Sequence, residues 1–158
     1  MKLTEIVHSQ AIIPQLAAKD REEAIRELVG ALVGSGATEE EAAPLLIEKL
    51  LERERKGSTG FGRGVAVPHV KHRSVNTIRA AVGISQHGID FQALDKQPVY
   101  TIFLLLSPDD RPEEHLQAME TIFKNLSKDT FRRFLRQSTN AEAVASLLDE
   151  ADHQQLGG

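Results

Sequence analysis

Apolar positions along the chain fall into helical and extended stretches that alternate. Asp20-Arg21-Glu22-Glu23 reads as a capping box, and Ala24, Ile25, Leu28 and Leu32 recur at helical spacing until Gly34-Ser35-Gly36 halts the helix. Thr38-Glu39-Glu40-Glu41 forms a second capping box ahead of Leu46, Ile47, Leu50 and Leu51, with an end near Arg55 or Lys56 before Gly57. Pro44 lacks an N–H and lies past the first turn of that helix, so the pattern allows either a start at Pro44 or a bend there. After Gly64 the pattern turns to strands. Val65 to Val67 is short and stopped by Pro68, Ile78 to Ser85 alternates, and Val99 to Leu106 is almost wholly apolar, which predicts a strand covered on both faces. Ser107 to Pro112 is a loop feeding a helix to about Leu126, with Leu116, Met119, Phe123 and Leu126 expected on the core side and His115 in the first turn. Phe131, Phe134 and Leu135 mark another short helix. Thr139-Asn140-Ala141-Glu142 caps a last one carrying Val144, Leu147 and Leu148. Phe123, Phe131 and Phe134 are all expected in the core. The sum is one α/β domain over residues 1–158, a central sheet flanked by helices, with a tail fraying from about Asp152.

Composition narrows the chemistry. With no cysteine the chain has no disulfide, thiolate metal site or sulfur nucleophile. The longest apolar run, Ile102 to Leu106, is far too short to span a membrane, and the polar start at Lys2 fits no signal peptide, so a cytoplasmic protein is expected. The formal charge of -4 argues against a nucleic-acid binder. That average conceals a contrast. From Arg53 to Arg79 there are seven basic residues against one acid, Glu54, a local +6 that leaves -10 for the rest.

Within this basic stretch, Gly60-Phe61-Gly62-Arg63-Gly64-Val65-Ala66-Val67-Pro68-His69 ends a strand in proline and delivers a histidine to the loop that follows. Strand ends are where α/β proteins place their chemistry. A neutral imidazole is a nucleophile, and cations and bare N–H groups stabilise phosphoryl oxygens, so the segment suits phosphoryl transfer through phosphohistidine. His115, at a helix N-terminus after Pro112, adds a second imidazole beside unpaired N–H groups. Each histidine also admits a purely structural reading.

These residues carry a resemblance. Glu54, Phe61-Gly62 and Val65-Ala66-Val67-Pro68-His69 reproduce the spacing of phosphotransferase-system (PTS) enzyme IIA domains of the fructose and mannitol type. Arg53-Glu54-Arg55-Lys56-Gly57-Ser58-Thr59-Gly60 is similar to the nitrogen-regulatory branch of that family, and the likeness runs through Leu104-Leu105-Leu106-Ser107-Pro108 to His115-Leu116. The resemblance implies a single domain with a mixed central sheet. It implies that His69 accepts a phosphoryl group from HPr or its nitrogen-branch paralogue, that His115 donates a hydrogen bond to that group, and that Arg53 neutralises it. It further implies a transfer that needs no metal, nucleotide or other cofactor. Arg63 is either a further cation or a solvated loop arginine. One departure stands out: Val70 follows His69 where the family usually has a small residue, most often glycine, a change that either crowds a docking partner or marks a subgroup with a different donor.

Other readings of the same residues are weaker. His69, His72 and His115 read as a metal set places Lys71 and Arg73 against a cation. The glycines of Gly60 to Gly64 precede a strand, whereas a dinucleotide loop follows one. Lys71-His72-Arg73 has no interleaved aromatics for a nucleic acid. Two functions remain: a regulator whose phosphorylation state selects protein targets, and a sugar-system component handing its phosphoryl group to a separate IIB protein.

Overall fold

The computed structural model describes residues 1–153 of the chain. The elements run α1 (Leu3–Ile6), β1 (Val7–Ile13), α2 (Arg21–Gly34), a 3-10 turn (Glu40–Ala42), α3 (Ala43–Lys56), β2 (Gly60–Gly62), β3 (Val65–Ala66), β4 (His69–Lys71), β5 (Arg79–Ile89), β6 (Val99–Ser107), α4 (Pro112–Leu126), α5 (Asp129–Gln137) and α6 (Ala141–Asp152). The sheet is mixed, in the order β1-β5-β6-β3-β2, with β4 also on β6. β6 runs antiparallel to β5 and parallel to both β3 and β4.

Because side chains alternate across a strand, β6 feeds two cores. Ile102, Leu104 and Leu106 meet Leu28, Leu32, Leu46 and Leu50 of α2 and α3. Phe103 and Leu105 meet Ile122, Leu126, Phe131 and Leu148 of α4, α5 and α6. The apolar run expected to be covered on both faces is therefore covered by helices on both. Among the described residues no helix is long and apolar enough to cross a membrane.

The Asp20 cap forms as expected, its carboxylate accepting from the Glu23 N–H at 2.8 Å, and Asn140 does the same for Ala143. Thr38 does not cap α3. Its hydroxyl donates to the Ser74 carbonyl at 3.0 Å, and α3 begins around Pro44, where a missing N–H costs nothing. α4 is rotated by about one residue from the expected phase, since its buried side chains are His115, Ala118, Ile122, Asn125 and Leu126. Leu116 is 61% exposed, and Phe123 and Phe134 are also at the surface, while Phe131 is buried. Asp152 is anchored rather than frayed, accepting from the Leu3 N–H at 2.6 Å and the Thr4 N–H at 3.0 Å, which ties α6 to α1. The rest of the expected frayed tail, residues 154–158, lies outside the described residues.

Candidate functional site

Val67 and Pro68 interrupt one extended stretch without shifting its register. Val65 pairs with Thr101 and Ala66 with Ile102 before the break; His69 pairs with Leu105, Val70 with Leu106 and Lys71 with Ser107 after it. Pro68 has no N–H to give, but its carbonyl accepts from the Leu105 N–H at 2.9 Å, so the break stays fixed to β6. His69 thus opens a short strand instead of entering a loop. Alternation then sends His69 and Val70 to opposite faces. Val70 packs into the core under α2 and α3, so it does not crowd the face His69 presents. We expect Val70→Ala to cost about 1 to 2 kcal/mol in urea unfolding, by loss of apolar burial, and to leave phosphate acceptance at His69 unchanged.

Backbone hydrogen bonding sets the His69 ring. Its Nδ1 lies 2.8 Å from the Val67 carbonyl. A carbonyl only accepts, so Nδ1 carries the proton and the lone pair of the neutral ring sits on Nε2. Behind this contact runs a relay from a buried acid. The Glu54 carboxylate, buried in the last turn of α3, accepts from the Thr59 N–H at 3.0 Å and from the Thr59 hydroxyl. The Thr59 carbonyl accepts from the Val67 N–H at 3.3 Å, and the Val67 carbonyl in turn holds His69. Arg21 stands 3.9 Å from the same carboxylate.

His115 lies across from this ring. The two imidazole centroids are 5.7 Å apart with planes tilted by 47°. His115 Nδ1 is 2.7 Å from the hydroxyl of Ser107, the last residue of β6, whose carbonyl also accepts from the His72 N–H at 2.9 Å. Burial lowers the His115 pKa from 6.5 to about 4, with the nearby His69 and Lys71 adding to the effect. Native His115 is therefore neutral where the unfolded chain protonates it. This contribution to stability is fully present above pH 6.5, is eroded on acidification as the unfolded chain takes up its proton, and is lost as the pH passes about 4. The slope is at most about 1.4 kcal/mol per pH unit. We expect urea titrations of His115→Gln to show a shallower loss of stability than the wild type across that window.

The structure thus brings His69 and His115 together and adds Ser107, Lys71 and the Glu54 relay. Arg53 is not part of the histidine pair: it is exposed on the last turn of α3, its Nη1 donating to the Gly57 carbonyl at 2.7 Å. α3 nevertheless packs against β4, and one bond occupies only part of a guanidinium's five donors. His72 turns away to Ser74, whose hydroxyl is 2.8 Å from its Nδ1, and among the described residues no set of three metal-ligating side chains gathers. Exposed Leu116 adjoins His115 on α4, and Phe123 packs against Phe61 with ring centroids 4.9 Å apart and planes tilted by 51°, giving an apolar surface that the expected helix phase had hidden in the core. Ser107 and this surface carry no motif of their own. The signal for both was the phase of α4, set by His115 rather than by its large apolar residues.

Residues 5–151 match the model of the family described as "Phosphoenolpyruvate-dependent sugar phosphotransferase system, EIIA 2". The chain is 34% identical over 148 residues to a nitrogen regulatory protein of Bradyrhizobium diazoefficiens, covering 94% of this chain and 95% of that one. It is 30% identical over 152 residues to the fructose-specific EIIABC component of Bacillus subtilis, covering 96% of this chain but spanning only 24% of that protein. The crystal structure of the nitrogen regulatory protein IIA-Ntr from Neisseria meningitidis superposes with a TM-score of 0.81 at 30% identity, over 91% of this chain and 97% of that one.

Proposed function

The chain belongs to the EIIA type-2 family of the phosphotransferase system, and from that membership and the geometry of its histidines we propose that it carries a phosphoryl group on Nε2 of His69, received from HPr or its nitrogen-branch paralogue. The observation that carries this reading is the Nδ1 contact with Val67, because it leaves Nε2 as the nucleophilic nitrogen on the face where His115 stands. In the transfer, the Nε2 lone pair forms the new bond to phosphorus as the bond to the donor imidazole breaks, and that electron pair stays with the donor. The Nδ1 proton remains on His69, where the Val67 carbonyl stabilises the positive charge that the ring acquires.

His115 contributes as a neutral donor. With the Ser107 hydroxyl donating to its Nδ1, its proton sits on Nε2 and points to a phosphoryl oxygen. Arg53 supplies compensating charge by swinging from the Gly57 carbonyl, and Lys71 adds a second cation. Catalysis here needs positioning and charge stabilisation rather than a cofactor. Leu116 and the Phe61–Phe123 pair form the apolar ground on which the donor protein docks.

The physiological role is regulatory in this reading: the phosphoryl group adds negative charge at His69 and so changes which partners bind. Identity of 34% to one nitrogen regulatory protein and the TM-score of 0.81 to another support it. The fructose-specific relative supports the alternative, delivery to a sugar IIB protein. Incubation with phosphoenolpyruvate, enzyme I and either HPr or its paralogue, read by intact-mass spectrometry, tests the acceptor role. An acid-labile phosphoryl adduct is expected, and its absence with both donors would sink the proposal. Rapid discharge to a purified IIB protein would move the assignment from regulator to transport component.

A further inference from the structure

We propose that a second site on this protein, separate from the histidine pair, binds a small anion carrying a phosphate or pyrophosphate group. The site is a groove of about 760 Å³ at the far end of the β3–β6 pairing, lined by Arg63, Tyr100, Arg132, Arg133 and Arg136. Val65 and Thr101 form its floor, and they are register partners four residues before His69 and Leu105. At about 3.3 Å per residue the groove lies roughly 13 Å along the sheet from His69.

Charge is the first argument. Four guanidiniums line the groove against two carboxylates, Asp95 and Asp129, in a chain whose overall charge is -4. Arg132 is already committed, pairing with Asp129 and donating to the Leu126 carbonyl at 2.7 Å. Asp95 is occupied by backbone donors, accepting from the N–H groups of Arg63 at 3.2 Å and Gln97 at 3.1 Å. The three remaining arginines, Arg63, Arg133 and Arg136, therefore outweigh the one acid left to them, which suits a ligand of two or more negative charges.

Two features position the arginines. The Arg136 guanidinium carbon sits over the Tyr100 ring, 3.4 Å from its centroid, so the aromatic face holds the cation in place while its N–H groups stay available to a ligand. Arg63 occupies an unfavourable backbone position. It is the first residue of a two-residue hairpin turn between Gly62 and Val65, with φ of 60° followed by 78° at Gly64. Such turns favour asparagine, aspartate or glycine, and an arginine there is strained. Gly64 lets this turn lie against Tyr100, since a Cβ would come within 3.3 Å of the ring. The strained turn places Arg63 on the lining of the groove that Arg136 shares.

A concave groove of this volume fits a small molecule better than a polymer. The test is titration of inorganic pyrophosphate into the whole protein, followed by backbone amide shifts. Saturable shifts at Gly64, Tyr100 and Arg136 are expected, with His69→Ala binding as the wild type does. Arg136→Gln should weaken binding roughly tenfold. Arg63→Asn should weaken it similarly while raising the melting temperature, because asparagine relieves the turn. No saturable binding, shifts confined to His69 and His115, or unchanged affinity in both arginine variants would overturn the proposal. So would an oligonucleotide that binds through these arginines and is not displaced by pyrophosphate.

Discussion

His69→Ala is expected to abolish the acid-labile phosphoryl adduct, leaving label at background under conditions that saturate the wild type. The expectation rests on a single atom. Nε2 of His69 is the imidazole nitrogen left with its lone pair by the Nδ1 contact at 2.8 Å to Val67, and alanine supplies no substitute nucleophile. In the proposed arrangement His115 presents an N–H rather than a lone pair, because the Ser107 hydroxyl donates to its Nδ1 at 2.7 Å. Because His69 is only half-buried, the variant should unfold at a melting temperature close to that of the wild type, so lost labelling will not reflect lost folding. Full labelling of a folded His69→Ala protein would overturn the site. Label retained in His69→Ala but lost in His115→Ala would move the acceptor to the neighbouring ring.

Glu54→Ala is expected to lower stability by about 2 to 4 kcal/mol. The carboxylate is buried, accepts from the Thr59 N–H and the Thr59 hydroxyl and lies 3.9 Å from the Arg21 cation, so its removal leaves the two Thr59 donors without their acceptor and Arg21 without its counter-charge. Urea unfolding measures this directly. Glu54→Gln keeps one acceptor oxygen and should recover part of the loss. The relay from Glu54 through Thr59 and Val67 makes a further demand, since it ends on the carbonyl that orients His69. Phosphorylation of Glu54→Ala should therefore be slower even at temperatures where the variant is fully folded. Leu50→Ala, which removes buried apolar contacts of the same helix at a comparable cost of about 2 to 5 kcal/mol, should label at the wild-type rate. Equal rates in the two variants would reduce Glu54 to a structural acid.

The rotation of α4 links fold and function. Choosing Leu116, Met119, Phe123 and Leu126 as the core face follows from their size, and Leu126 is buried as expected, yet the helix turns His115, Ala118 and Ile122 inward in place of Leu116 and Phe123. Either phase satisfies the helical period; only packing against β6, with Ser107 waiting for the imidazole, selects between them. The same turn that brings His115 inward leaves Leu116 and Phe123 outside. β1 was not legible for a related reason. In Val7–Ile13 polar His8, Ser9 and Gln10 break the alternation, as an edge strand with one pairing partner allows. Thr38 looks like a cap in isolation, but the Ser74 carbonyl, 36 residues away, offers it a different partner.

The sequence by itself determined the local elements and the chemistry they carry. The Asp20 cap, the doubly buried run of β6 and the glycine-rich approach to Pro68-His69 are governed by neighbours within a few residues, where dihedral limits and burial leave little choice. Tertiary structure decided everything that depends on distant partners. It set His69 against His115, 46 residues on, because both lie on the same side of β6. It turned Val70 to the other side, connected Glu54 to the His69 ring, and gathered arginines from a hairpin and from α5 into one groove. Such pairings have no local signature, since they arise from which face of a shared sheet each element covers.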